Sequence, residues 1–378
     1  LKLKFIEQDW WCEMSQLCVT LPPFAPDYSG VCSALFELGG LIVIHDASGC
    51  TGNYTGYDEP RWYNSKSFVY CSRLREIDAV LGDDEKLIQK IKVAAEALKP
   101  EFIAILGSPV PMLIGTDFTG IAMEIEERLG IPTFGFDTTG QLFYHQGISL
   151  ALVALAKKYI KAPEQKKKQQ LNILGASPLD FGINDNITQI KSFFVDNNYE
   201  IGACFAMGTT IDDIKNAATA ALNVVISHSG LALAKLMARK YDIPYICGIP
   251  IGAGTTLLRK MTTLVAEPLE LDVEKETLII HDQIIANSIR ESLACPKKVV
   301  VASCFDLEQT LKSEGDFVMK TEKEIMTAVN AGYKRVIGDP LVLSLIKDET
   351  VEKIALPHEA VSSKIYRKDY PIFRNFKL

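Results

Sequence analysis

The sequence has little that would carry it into a membrane or onto a nucleic acid. Its longest apolar stretches, such as residues 148–156 (ISLALVALA), fall well short of the ~20 residues that a bilayer span requires. No membrane association is expected. Charge of one sign is also scarce: 40 Lys and Arg against 47 Asp and Glu leave −7, which favours solubility and offers no general attraction to phosphate backbones or anionic lipid. The first twenty residues carry two acids within the first nine and no apolar core segment, unlike a secretory signal, so a cytoplasmic location is expected. A phosphate-binding loop ending in Gly-Lys-Ser/Thr is missing from the sequence; nucleotide hydrolysis is not an expected activity.

What is present is apolar material. With 48% hydrophobic and 23% charged residues the chain can build packed cores, which excludes disorder as a general description. At roughly 150 residues per domain, its 378 residues make two to three domains. The nine cysteines cannot form a disulfide framework in a cytoplasmic chain of this size, which leaves buried filler, catalytic thiols or metal ligands. Their spread is uneven. Cys12, Cys18, Cys32, Cys50 and Cys71 fall in the first fifth, while Cys204, Cys247, Cys295 and Cys304 are scattered and lie in or beside apolar strands, where filler is the expected role.

Short Val- and Ile-rich runs alternate with amphipathic segments, the pattern of strand–helix units around parallel sheets. Strands are expected over residues 41–45, 102–106 and 133–136, with helices over 28–38, 84–97, 118–129 and 141–160. The segment APEQKKKQQ has no apolar periodicity and reads as a polar connector. A second run follows, with strands at 171–174, 200–205, 224–227 and 244–248 and helices at 184–197, 210–220 and 230–241. A third has strands at 277–280, 298–302 and 335–338 and a helix at 321–331. The expected class is α/β: three Rossmann-like modules, over residues 1–168, 169–272 and 273–378, each a parallel sheet flanked by helices with its site at the strand carboxyl ends.

The densest chemical motif is HDASGCTGNY, which begins at His45 and follows the apolar run LIVI. A cysteine in a Gly-rich turn after a buried strand sits where backbone N–H groups can favour thiolate, the form that binds iron or attacks an electrophile. An inert cysteine in a tight turn satisfies the same local pattern. Asp58, Glu59, Arg61 and Trp62, which follow the turn, read as surface or interface residues, and His145 as structural.

The segment from Pro26 to Tyr57 resembles the start of nitrogenase component 1 chains, in which a small-residue loop, a helix and a strand lead into a His-x3-Gly-Cys turn; His45, Gly49 and Cys50 match it. CSRLREIDAVLG from Cys71, LIGTDF from Leu113, RKYDIPY from Arg239 and LPHEAVSS from Leu356 resemble later elements of the family in order. The resemblance implies an iron–sulfur protein, with a cluster of [4Fe-4S] type held by Cys50 in a turn shaped by His45 and Gly49. It implies a homodimer or a related second subunit, low-potential electrons from an ATP-dependent reductase like the nitrogenase Fe protein, and a small-molecule substrate.

Two of the family's cluster cysteines are missing. Their positions fall near Ala25–Asp27 and on Pro109. Replacement thiolates could come from Cys12, Cys18, Cys71 or Cys32. The first three are the better placed: Cys12 and Cys18 precede the loop that lost its cysteine, and Cys71 is expected just before a helix start, where the dipole favours thiolate. Cys32 falls inside a helix. The anchor of the family's catalytic cofactor is lost too, with Ile226 near the cysteine position, so dinitrogen reduction is not expected. A substrate cleft is expected near His228 and the Gly-rich loop that contains Gly252 and Gly254. Two other functions fit the family or the fold: a cofactor-assembly scaffold, and an α/β small-molecule binder without a cluster.

Overall fold

A computed structural model of the chain describes residues 18–62, 67–163, 165–265 and 268–376. These residues form two compact units. Residues 24–265 with 358–376 hold two four-stranded sheets, and residues 18–23 with 268–357 hold a five-stranded one. Every strand pair is parallel.

In the larger unit the first sheet runs β2-β1-β3-β4, from β1 (Leu41–Ile44), β2 (Phe68–Cys71), β3 (Ile103–Leu106) and β4 (Thr133–Phe136). All four residues of β1 and of β3 are buried, as expected of interior parallel strands covered on both faces. The second sheet runs β6-β5-β7-β8, from β5 (Lys167–Leu174), β6 (Glu200–Cys204), β7 (Ala220–Val225) and β8 (Tyr245–Cys247). In both sheets the strand order reverses beside the first strand, between β1 and β3 and between β5 and β7. A crevice opens outside the carboxyl ends of strands at such a reversal. The residues after β1 and β3 are the Cys50 turn and Gly107–Ser108.

The smaller unit orders its sheet β11-β10-β9-β12-β13, from β9 (Thr277–Ile280), β10 (Val299–Ser303), β11 (Phe317–Val318), β12 (Arg335–Gly338) and β13 (Glu352–Ala355). Leu278, Ile280, Val300, Val336 and Leu343 lie in its core. Arg290 and Asp316, both almost fully buried, pair at 2.7 Å beneath it.

The expected polar connector is a correction. Lys167 and Lys168 belong to β5, whose first three residues are exposed; the strand begins in solvent and enters the core at Gln170. The strands absent from the sequence reading are β2, β11 and β13, all at sheet edges. None presents a fully buried run, so apolar patterning does not mark them.

The helix Asp27–Leu35 packs on the helix Tyr144–Tyr159 at backbone contact. A Cβ on Gly30 would fall 1.9 Å from the Tyr144 carbonyl oxygen, and one on Gly147 would fall 1.9 Å from that of Asp27. Two reciprocal glycines therefore fix the first turn of the first helix, which carries Tyr28.

Candidate functional site

After β1 the chain makes a turn through His45–Ser48 and enters the short helix Gly49–Asn53, followed by a π-helical turn over Tyr54–Asp58. Ser48 adopts a φ of 148° at the helix entry. The turn is organised by Asp46. Its Oδ2 accepts the backbone N–H groups of Ser48 at 3.0 Å and Thr51 at 3.2 Å. These are among the donors a thiolate at Cys50 would use, and here a carboxylate occupies them. Burial, and next the Asp46 charge, accordingly push the Cys50 thiol above its ordinary pKa, against smaller opposing contributions from the Tyr28 and Ser108 hydroxyls. The expectation that the turn lowers this pKa is thus corrected.

The carboxyl end of β2 closes one side of the crevice. Cys71, its last residue, donates its thiol to the Asp46 carbonyl at 3.1 Å and accepts the Arg73 N–H at 3.3 Å. The next helix starts only at Glu76, so Cys71 is a strand-end residue rather than a helix-start one. Ser72 pairs its hydroxyl with His45 Nδ1 at 2.8 Å, and Lys90 Nζ donates to the Ser72 carbonyl at 2.8 Å. Burial first, then Lys90, hold His45 down to about 4, so its ring is neutral at pH 7. From β3, Ser108 donates its hydroxyl to the His45 carbonyl at 3.0 Å and borders Cys50. Tyr28, buried at 5% exposure, lies beside Cys50 on the remaining side.

The crevice therefore brings together Cys50, Cys71 and His45, which the sequence reading named, with Asp46, Ser72, Ser108 and Tyr28, which it did not. Tyr28 and Ser108 had a readable signal: each is next to a position where a family cysteine is missing, Ala25–Asp27 and Pro109. Gly49 opens the short helix, and the place of a Cβ there is open space. Cys32 is fully enclosed, its thiol raised by burial and by Glu59 and Asp58. Cys18 is exposed in the smaller unit, near Glu322 and Cys304. Cys12 lies outside the described residues. Among the described residues, no three His, Cys, Asp or Glu side chains are placed to hold a metal ion.

Other expectations change too. Glu59 and Arg61 are not surface residues: Glu59 is 2% exposed and pairs with Arg61 Nε at 2.7 Å, while Arg61 also donates to the Ser33 and Ala206 carbonyls. Of the four presumed filler cysteines, Cys204 and Cys247 are buried, whereas Cys295 is exposed and Cys304 is half-buried. His228 packs edge-on to His145 with ring centres 5.3 Å apart. Gly252 donates its N–H to the Arg374 carbonyl, and a Cβ on Gly254 would strike the Phe193 ring.

The family model for nitrogenase component 1 type oxidoreductases matches residues 27–313, which include the whole crevice. The chain belongs to that family. The nitrogenase molybdenum-iron protein alpha chain of Clostridium pasteurianum is 27% identical over 58% of this chain and 41% of its own length. The nitrogenase iron-molybdenum cofactor biosynthesis protein NifE of the same organism is 25% identical over 86% of this chain and 72% of its own. The alignment to the alpha chain thus takes in less than half of that protein. A solved structure of nitrogenase Cp1 at pH 6.5 superposes with a TM-score of 0.67 at 15% identity, covering 90% of this chain and 86% of the other, which shows the shared fold.

Proteins of the nitrogenase component 1 family bind iron–sulfur clusters, and the crevice fits such a group in part. Its two half-exposed thiols are soft donors of the right type, and the backbone N–H on Cys71 is suited to a thiolate. Two thiols do not complete a four-cysteine set. Ile226 is fully buried, and His358 hydrogen-bonds Tyr144 at 2.9 Å.

Proposed function

We propose that this chain is an iron–sulfur oxidoreductase of the nitrogenase component 1 type, in which Cys50 and Cys71 are this chain's thiolates for the cluster and a second subunit supplies the rest. The observation that supports the reading is the nearness of these two thiols at the carboxyl ends of the neighbouring strands β1 and β2, with His45, Asp46 and Ser72 bonded across the turn between them. The cluster supplies one-electron transfer at low potential. The residues around it hold the sulfurs in place, exclude water from the Tyr28 side and keep His45 uncharged.

Electrons come from a separate ATP-dependent reductase, the partner that the family resemblance implies. A contiguous apolar face beside the crevice supports docking of that partner. Ile77, Val80 and Leu81 on the helix Glu76–Leu81 and Val110, Leu113 and Ile114 on the adjoining helix Pro109–Ile114 are all exposed, and clustered exposed apolar side chains mark interaction sites. The substrate is a small molecule other than dinitrogen, bound near His228, Gly252 and Gly254.

The test is anaerobic purification with iron and acid-labile sulfide analysis. The account predicts both elements in the wild type and more than tenfold less in Cys50→Ser. Iron-free protein would sink it. A scaffold that holds a cofactor precursor is the second reading, favoured by the 86% coverage of this chain in the alignment to NifE. Retained iron that is not oxidised by any substrate in the presence of a reductase, but is passed to an acceptor protein, selects it.

A further inference from the structure

Beyond the single helical turn Glu359–Ser362 the chain passes through three short 3-10 turns, Ser363–Ile365, Arg367–Asp369 and Phe373–Asn375, and crosses the carboxyl end of the second sheet. There it binds the segment after β5 and the loop after β8. The Tyr370 hydroxyl donates to the Asp180 carbonyl, and Asn184 Nδ2 donates to the Tyr370 carbonyl at 3.1 Å. Asn186 uses both ends of its amide, accepting the Phe373 N–H at 2.8 Å and donating to the Pro371 carbonyl at 3.0 Å. After β8, Gly252 donates its N–H to the Arg374 carbonyl at 2.9 Å.

No residue of this segment belongs to a described strand. Side-chain amides and bonds to loops hold its backbone in place of a ladder, an anchoring that can open locally. Its start is strained. Ser363 adopts a φ of 45°, in the region that favours glycine; its hydroxyl donates to the Tyr57 carbonyl at 2.8 Å, and Lys364 Nζ lies 5.0 Å from the centre of the Tyr57 ring. A small residue held off its preferred backbone at the end of an element is suited to act as a hinge. Two effects oppose opening. Phe373 is fully buried, with its ring centre 5.7 Å from that of Phe181, and Asn186, only 1% exposed, would lose two partners. The closed form is therefore the major state, and the open one a minor state that a ligand can select.

We propose that residues 363–376 are an autoinhibitory strap, hinged at Ser363, that covers the carboxyl end of the second sheet and swings away before a small-molecule substrate enters the cleft at Gly252 and Gly254. Ligands of parallel sheets bind at that end, and here the chain's own Phe373 and Arg374 occupy its rim. Release of Arg374 frees the Gly252 N–H, so strap and loop open together. Placing the substrate there rests on the function proposed above; the opening of the strap depends neither on it nor on iron.

Native-state hydrogen exchange of the anaerobically purified full chain, read by mass spectrometry with residue-resolving fragmentation, tests this. The Phe373 and Gly252 amides should exchange more than about 100-fold faster than the Ile226 amide, which bonds the Leu174 carbonyl beside the second sheet. In low urea their rates should hold while that of Ile226 rises. Tyr370→Phe, which keeps the ring and loses the hydroxyl bond, should speed Phe373 and Gly252 by the same factor, about fivefold, and Asn184→Ala serves if that variant does not fold. Ile125→Val, in the core of the first sheet, should speed Ile226 and leave Phe373 unchanged. Phe373 exchange at the Ile226 rate with the same urea dependence, or a Tyr370→Phe effect on Phe373 without one on Gly252, overturns the proposal. Iron-free protein that passes refutes the cluster and keeps the strap; iron-loaded protein that fails keeps the cluster and loses the strap.

Discussion

Asp46 explains why a cysteine on a helix's first turn is not more acidic than usual. The backbone donors at Ser48 and Thr51 are bound to its carboxylate, and the charge is then an extra cost for a thiolate nearby. A metal centre at Cys50 would change that balance, since coordination deprotonates a thiol outright. Buried histidines set a second residue-scale effect. His45 is held at about 4, and His145 is held at about 3 by burial first and by His228 and His358. The ordinary value is about 6.5, so the unfolded chain binds more protons than the folded one in the window below it. Stability from both residues is present above about 6.5 and is lost as pH falls toward 4 and 3. Asp58, raised by burial to about 6, acts in the opposite sense, its contribution being present at low pH and lost as pH rises through 6. Two groups outweigh one. In denaturant titrations, His145→Gln should shrink the stability difference between pH 7 and pH 5 by on the order of 2 kcal/mol. An unchanged difference would show that the ring is not buried neutral.

Among the elements, the reciprocal glycine contact between the helices Asp27–Leu35 and Tyr144–Tyr159 matters most for the crevice. Gly147→Ala places a methyl 1.9 Å from the Asp27 carbonyl oxygen, and the helices must separate. The expected cost is about 3 kcal/mol, read as a lower denaturation midpoint. Gly49→Ala, with open space at its Cβ, should stay within about 0.5 kcal/mol. Equal effects at the two sites would contradict the packing account. The elements that the sequence makes legible are those with apolar, largely buried runs. The expected strands 133–136, 277–280 and 335–338 coincide with β4, β9 and β12, and β4 is legible although it lies at a sheet edge. The edge strands β2, β11 and β13 escaped because patterning reports burial, and β13 (Glu352–Ala355) has almost none. The candidate site divides in the same way. Cys50 and His45 follow a recognisable strand, whereas Tyr28 and Ser108 come to lie beside Cys50 from segments 22 and 58 residues away in the chain, a proximity that only the folded sheet order creates.

For the whole molecule, family membership fixes the architecture more firmly than it fixes the chemistry. In the proposed reading Cys50, in the turn after β1, is one cluster thiolate, and Cys71 at the end of β2 is the second. With two crevice thiols per chain, iron should be found at one four-iron cluster per two chains, and the cluster-bearing species should migrate as a dimer in anaerobic gel filtration. Iron on a monomer would contradict a shared site. Iron and sulfide content of the anaerobically purified chain, compared between wild type, Cys50→Ser and Cys71→Ser, tests the central claim most directly. The account predicts iron and sulfide in the wild type and loss of both in either variant. Iron-free wild type, or wild-type iron content in Cys50→Ser and Cys71→Ser, would contradict it.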